Sequence, residues 1–105
     1  MNLLNMPVSL RRGLEDLAGE MVYARKNADL GRLAFLCYCE IRRWARLAEE
    51  DRLAELSRAL ITEHPAKDRK EFLSQVDDVI AELGDVCDRA GINEGAKSLG
   101  MVRLH

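Results

Sequence analysis

The chain has 105 residues, of which 48% are hydrophobic and 32% charged, and its formal net charge is −2. This length and composition are typical of one folded domain over residues 1–105 and exclude a disordered chain. The small negative charge argues against sequence-independent nucleic-acid binding, which depends on neutralising phosphates. No apolar stretch reaches the roughly 18 residues of a membrane span. Residues 1–7 lack the pattern of a secretory signal, so we expect a cytoplasmic protein with no membrane contact.

The first predicted helix covers about residues 7–26. Gly13 and Gly19 lie within it, and each weakens the helix by about 1 kcal/mol relative to Ala. They either permit close helix packing or make this element soft. The apolar residues follow the spacing of one buried stripe: Leu10, Leu14, Leu17 and Met21.

The second predicted helix begins after Asp29, which is expected to cap it. It contains an unbroken apolar run from Leu33 to Cys39. Such a run places apolar side chains around the whole helix, and a helix that is apolar on every side must be covered on every side. In a chain this small, we expect a partner to supply part of the cover. The core stripe of this helix is predicted to contain Leu30, Leu33, Cys37, Ile41, Trp44 and Ala48.

The opposite face of the second helix is aromatic and basic. Arg32 and Arg43 flank it, and Arg42 and Arg46 lie one turn apart, where they could grip a pair of carboxylates or a phosphate backbone. Arg is enriched at the energetic centres of protein interfaces, whereas Trp44, also a typical interface residue, lies on the core stripe and is expected to be a core anchor. The predicted protein-contact residues are Phe35, Tyr38, Cys39, Arg42 and Arg46.

The apolar pattern loses its phase after Ala48. Either one long helix bends here, or it breaks into two with Asp51 as a weak cap. Because no Gly or Pro forces a stop, we favour one long central helix that continues to about Glu63. His64-Pro65 then ends it, since the residue before Pro is pushed away from helical angles.

The last predicted helix begins at Asp68, which forms a capping box with Glu71, and Gly91 stands where a left-handed C-cap belongs. Residues 92–105 are predicted to form a short C-terminal tail, either a turn of helix or a segment that lies on another subunit. The apolar stripe consists of Phe72, Val76, Val79, Ile80, Leu83, Val86, Cys87 and Ala90. The outer face is acidic, with Asp77, Asp78, Asp85 and Asp88, and Glu82 at its margin.

Charge is therefore segregated along the chain. Residues 25–46 are mainly basic, and residues 71–88 carry acidic but no basic side chains between Glu71 and Asp88. Two such faces can fix the orientation and choice of a partner. The alternative is that they are two solvated faces that differ in sign.

The sequence contains no recognisable catalytic arrangement. Its histidines are His64, before a proline, and His105, the last residue, and neither position favours a rigid contact with a nucleophile. Cys37 and Cys39 point in different directions on a helix, so they cannot share a metal or a disulfide. We expect these two and Cys87 to be buried small hydrophobes, and we expect no enzyme activity, metal or cofactor.

The corner between the first two helices carries Ala24 and then Asp29-Leu30-x-x-Leu33-x-x-Leu36. This pattern resembles the hairpin corner of small flagellar export chaperones, with Leu30 where their usual tryptophan follows the Asp. The resemblance implies a helical chaperone that masks the end of a secreted or regulatory partner. The pattern also fits helical hairpins in general, so no family is assigned. Small acidic helical anti-activators share the same gross features.

The sequence thus predicts an all-α protein, an antiparallel bundle of three or four helices with a long central second helix. The predicted function is a non-enzymatic protein–protein interaction module, a homodimeric regulator or chaperone that sequesters or modulates an unknown protein. The alternative is a small nucleic-acid-associated regulator that uses the face of Arg32, Arg42, Arg43 and Arg46.

Overall fold

The computed structural model describes residues 2–63 and 65–103, and this part of the chain is helical without a β-strand. The all-α prediction is therefore confirmed, whereas His64 and His105 lie outside the described residues. A 3₁₀ turn at Leu3–Asn5 precedes five α-helices in the described ranges. They are α1 (Val8–Lys26), α2 (residues 30–47), α3 (Asp51–Thr62), α4 (Arg69–Arg89) and α5 (Asn93–Val102).

The five helices pack around one core, with each helix in contact with the next along the chain and the last in contact with the first. α1 contacts α2, α4 and α5, while α3 joins α2 to α4, and α4 packs along α5. α5 is part of this core, because Leu99 and Val102 are buried in it. The predicted stripes supply most of the remaining core: Leu14, Leu17, Met21, Leu33, Cys37, Ile41, Trp44, Val76, Val79, Ile80, Leu83, Val86 and Cys87.

The prediction of one long helix to about Glu63 is wrong, because α2 ends at Leu47. Glu49 adopts a positive φ of 59°. Its N–H donates to Arg46 O at 3.2 Å, and the N–H of Glu50 donates to Ala45 O at 2.8 Å. These two bonds satisfy the last carbonyls of α2 and form a Schellman motif, which reverses the chain. Glu50, and not Asp51, then occupies the cap position of α3.

The same motif ends α1 and α4. Asp29 N–H donates to Ala24 O at 3.0 Å after Ala28, whose φ is 46°. Ile92 N–H donates to Cys87 O at 2.8 Å after Gly91, whose φ is 76°. Of these three residues with a positive φ, only Gly91 is predictable from the sequence, since glycine reaches a positive φ at little energetic cost.

The predicted helix starts are confirmed at both polar caps. The Asp29 carboxylate accepts the Arg32 N–H at 3.2 Å, and the Asp68 carboxylate accepts the Glu71 N–H at 2.8 Å. Each bond satisfies a backbone donor that has no partner within its helix. α2 and α4 therefore begin where the sequence places them. The predicted short tail of residues 92–105 instead contains the ten-residue helix α5.

A π-helical turn interrupts α2 at Leu36–Glu40 and joins the α-helical parts Leu30–Phe35 and Ile41–Leu47. Ile41 N–H donates to Leu36 O, one residue further back than in an α-helix. In an α-helix, the Ile41 N–H would donate to the Cys37 carbonyl. Here the Cys37 carbonyl instead accepts a hydrogen bond from the hydroxyl of Ser57 on α3. Ser57 is fully buried, so a side chain from another helix supports this turn.

The acidic face of α4 is less exposed than the sequence predicts. Asp77 accepts two hydrogen bonds from Arg25 of α1, at 2.9 and 3.2 Å. Glu82 is only 8% exposed and lies 3.2 Å from the guanidinium of Arg52 on α3. Part of the charge that the sequence assigns to an outer face therefore holds helices of the same chain together.

Candidate protein-interaction surface

The π turn divides the predicted contact face of α2 into two sides. A π turn adds one residue, so every residue after it is rotated by about 100° relative to an uninterrupted α-helix. Arg43 and Leu47 consequently line one groove with Phe35. Arg42 and Arg46 do not line it, although counting 3.6 residues per turn groups them with Phe35.

This partner groove, as we call it, lies between α1 and α2 and has a volume of about 590 Å³. Two large apolar side chains stand exposed along it: Phe35 is 45% exposed and Leu47 is 64% exposed. They are 12 residues apart in sequence, which is about 18 Å along a helix. The groove is lined by Ser9, Leu10, Gly13, Asp16, Leu17, Glu20, Arg32, Phe35, Glu40, Arg43, Trp44 and Leu47.

The floor of the partner groove is rigid. Trp44 is buried and its indole Nε1 donates to Leu10 O of α1 at 2.8 Å. A Cβ atom at Gly13 would approach the indole Cδ1 to 3.2 Å. Gly13 therefore permits α1 and α2 to pack closely, which was one of its two predicted roles. Trp44 is confirmed as a core anchor that also forms part of the floor.

The charges on the partner groove are largely paired. Asp16 and Glu20 lie on the α1 side, and Arg32, Glu40 and Arg43 lie on the α2 side. The Arg32 guanidinium is 3.0 Å from the Glu20 carboxylate, and its Cζ lies 5.7 Å from the ring centroid of Phe35. This ion pair joins α2 to α1 across the groove.

Tyr38 lies away from the partner groove. Its ring meets that of Phe72 on α4 edge to face, with centroids 6.3 Å apart and planes at 73°. Tyr38 is half-buried there, and burial is the main cause that raises its pKa. It borders a separate depression with Lys67 and Arg69 at the start of α4.

Arg42 lies on the side of α2 that is turned toward α3. The pKa of the Glu55 carboxyl on α3 is lowered first by its hydrogen bonds with Arg58, and the positive charge of Arg42 lowers it further. Arg46 is exposed. The five predicted contact residues therefore do not form one patch, and Phe35 alone among them lines the partner groove.

The cysteines differ in burial. Cys37 and Cys87 are buried as expected, and burial raises the pKa of their thiols to about 12 and about 11. The expectation that Cys39 is buried is wrong, because its side chain is exposed on α2. A buried thiol stays protonated at neutral pH and is a poor nucleophile.

The described residues contain neither a metal-binding cluster nor a membrane-crossing helix. Residues 2–63 and 65–103 contain no group of three or more His, Cys, Asp or Glu side chains placed to hold a metal ion. In the same part of the chain, no helix combines the length and the apolar character that a membrane crossing requires.

Leu47 is the contact candidate that the sequence analysis missed. A signal exists in its spacing, since Phe35, Cys39, Arg43 and Leu47 recur every four residues. That spacing follows one side of a helix only if the helix is locally underwound, as a π turn makes it.

Comparisons with known proteins assign no family. No family model matches the chain, no curated protein matches it, and no solved structure matches it.

Proposed function

We propose that this chain is a non-enzymatic protein-binding module, a homodimeric cytoplasmic regulator or chaperone that sequesters or modulates another protein. The observation that carries the proposal is the exposure of Phe35 and Leu47 along the partner groove. The antiparallel order of the bundle, predicted from the sequence, belongs to the same proposal.

The occupant that suits the partner groove is an amphipathic helix of another protein. Helix-in-groove recognition uses apolar anchors spaced over about three turns, and Phe35 and Leu47 are separated by that length. Asp16 on the α1 side forms no ion pair among residues 2–63 and 65–103, so it would favour a cationic side chain of the bound helix beside it. The Arg32–Glu20 ion pair, which joins α2 to α1 across the groove, would limit how far along the groove that helix lies.

The nucleic-acid alternative has less support because part of the basic face is neutralised within the chain. Arg32 pairs with Glu20, and Arg43 lies 3.1 Å from Glu40. Nucleic-acid affinity depends on the number of phosphates neutralised by free cationic side chains. Only Arg42 and Arg46 of the four predicted arginines remain for that role, and Glu55 lies beside Arg42.

A capture experiment with matched variants tests the partner groove. Phe35→Ser combined with Leu47→Ser removes both exposed anchors, and each anchor is expected to contribute at least about 2 kcal/mol, or roughly 30-fold in affinity. Immobilised wild type should therefore enrich a protein from the native lysate that the double variant does not retain. Quantitative mass spectrometry measures the ratio.

The control is Met101→Ser on α5, where Met101 is 57% exposed but does not line the partner groove. This variant should capture the same protein as the wild type. Equal capture by the Phe35/Leu47 double variant would contradict the proposal, provided that circular dichroism shows the variant to be folded.

A further inference from the structure

We propose that a second copy of this chain docks on the groove between α3 and α4, which receives the Arg42 and Arg46 side of its partner's α2. This inference deepens the homodimer part of the proposed function. The acidic groove, as we call it, has a volume of about 620 Å³. It is lined by Arg52, Glu55, Leu56, Ala59, Glu63, Asp78, Ala81, Glu82 and Asp85.

The acidic groove has an apolar floor and an excess of negative charge. Leu56, Ala59 and Ala81 form the apolar part and are each half-buried. Three of the carboxylates have partners on α3: Arg52 pairs with Glu82, and Arg58 pairs with Glu55 and Glu63.

Asp78 and Asp85 are the carboxylates left for an occupant. Both are exposed, and the described part of the chain provides no ion-pair partner for either. An occupant of this groove therefore gains most from two cationic groups that reach α4.

The basic side of α2 supplies two such groups. Arg42 and Arg46 are one helical turn apart, neither lines the partner groove, and Arg42 lies near Glu55 of α3. Arg46 is exposed, and no carboxylate among residues 2–63 and 65–103 forms an ion pair with it. Asp78 and Asp85 are two turns apart on α4, about 10.5 Å, so the side chains of Arg42 and Arg46, about 6 Å apart along α2, would have to splay to reach both.

The two surfaces lie side by side on the same molecule. α2 packs on α3, and α3 forms one wall of the acidic groove, so Arg42 lies beside Glu55 at the groove's rim. A two-fold axis near this rim brings the basic side of each copy onto the acidic groove of the other. Such a contact closes after two copies and forms both charge-complementary contacts at once. The acidic groove is therefore assigned to a second copy of this chain and not to a different protein.

Complementary charge reversal tests the docking. One variant carries Arg42→Glu and Arg46→Glu, and the other carries Asp78→Arg and Asp85→Arg. Each variant alone sets like charges against each other in both contacts, so each should sediment as a monomer where the wild type sediments as a dimer. An equal mixture should form a heterodimer, because both contacts then join opposite charges. The expected weakening in each variant alone is at least about tenfold in the dimer dissociation constant.

The control variant is Lys67→Glu with Lys70→Glu, which makes an equal charge change at exposed residues outside the acidic groove. It should remain dimeric. The wild-type dimer should also weaken when ionic strength rises to about 0.5 M, where charge interactions are screened within a few ångströms. Should a charge-reversed variant fail to fold, Asp78→Asn with Asp85→Asn replaces it and should weaken the dimer in the same direction.

Three results would overturn the inference: a monomeric wild type at tens of micromolar in low salt, a dimer unaffected by the reversals, or a mixture that stays monomeric. Binding of a synthetic Lys-rich amphipathic peptide to a monomeric wild type would assign the groove to a foreign cationic partner instead. The Phe35/Leu47 double variant should stay dimeric. Failure of the docking and failure of the partner groove are therefore distinguishable.

Discussion

At the scale of single residues, the three thiols differ in their burial, although two of them are close together in the sequence. Cys37 and Cys39 are two positions apart, yet one is buried and the other exposed. Burial raises the pKa of Cys37 to about 12 and is the main cause that raises the pKa of Cys87 to about 11. Because the thiolate is the reactive species, two factors slow the reaction of these thiols with reagents: they are buried, and they stay protonated.

We therefore predict that one thiol of the native protein reacts rapidly with a chromogenic disulfide reagent at about pH 8, and that this thiol is Cys39. The unfolded chain should release colour for all three cysteines. Cys39→Ser should abolish the fast phase in the native protein. Rapid reaction of two or more thiols in the native wild type, or a fast phase that survives Cys39→Ser, would contradict the assignment.

Single residues also explain which helix ends could be foreseen. Asp29, Asp68 and Gly91 have side chains or backbone freedom that only a few residue types share, and all three were placed correctly. Glu49 adopts the same left-handed conformation as Gly91 without any such preference. Its conformation follows from the packing of α2 on α3, which local sequence does not encode.

At the scale of elements, the π turn in α2 decides which side chains meet. Leu33 before the turn and Leu36 and Cys37 within it face the core, and Ile41, Trp44 and Ala45 face the core after it. Without the extra residue, the second set would be rotated by about 100° relative to the first. The turn thus keeps both halves of α2 packed, and it separates Phe35 from Arg42 and Arg46.

The Ser57 hydroxyl supports this turn, and its removal provides a test at the same scale. In the native protein the Ser57 hydroxyl donates to the buried Cys37 carbonyl, which the Ile41 N–H no longer reaches. Ser57→Ala removes this donor and leaves the carbonyl without a partner. We therefore predict a loss of about 1–3 kcal/mol in the free energy of unfolding. Urea denaturation measures this loss as a lower midpoint with an unchanged slope.

Ser74→Ala is the matched control for this test, because Ser74 is exposed on α4. It should change the free energy of unfolding by no more than about 0.5 kcal/mol. If Ser57→Ala unfolds at the same urea concentration as the wild type, the turn does not depend on this hydrogen bond.

The helical segments α1, α2 and α4 were predictable from the sequence, whereas the π turn, the break between α2 and α3, and the last helix α5 were not. Apolar spacing identifies helices from the residues of one segment. The π turn depends on Ser57, which is 20 residues away from Cys37 and belongs to another helix. Since the predicted contact face relied on regular geometry through this region, the candidate site could be foreseen only in part: Phe35 was found, and Leu47 was not.

At the scale of the whole molecule, the chain covers most of its own apolar run. Leu33, Leu36 and Cys37 are fully buried, whereas Phe35 and Cys39 are exposed. The run is helical, as the sequence predicts, and a single side of it remains open to water. The proposed partner would therefore cover that side alone and not the helix as a whole.

The charge segregation seen in the sequence is likewise used mostly within the molecule. Arg25 holds Asp77, and Arg89 lies 2.9 Å from Glu50, so α4 is tied by ion pairs both to α1 and to the turn after α2. Exposed ion pairs contribute about 0–1 kcal/mol each, and the half-buried Arg25–Asp77 pair mainly fixes orientation. Asp78, Asp85 and Arg46 form no ion pair among residues 2–63 and 65–103, and they are therefore available for contacts between molecules.

The central claim is that a protein partner occupies the groove beside Leu47, and site-specific photo-crosslinking tests it most directly. A photoreactive amino acid at position 47 should form one discrete adduct in native lysate, and Phe35→Ser in the same chain should reduce it. The same photoreactive group at position 101 should give no such adduct. Identical adducts from both positions, or none from position 47, would contradict the claim.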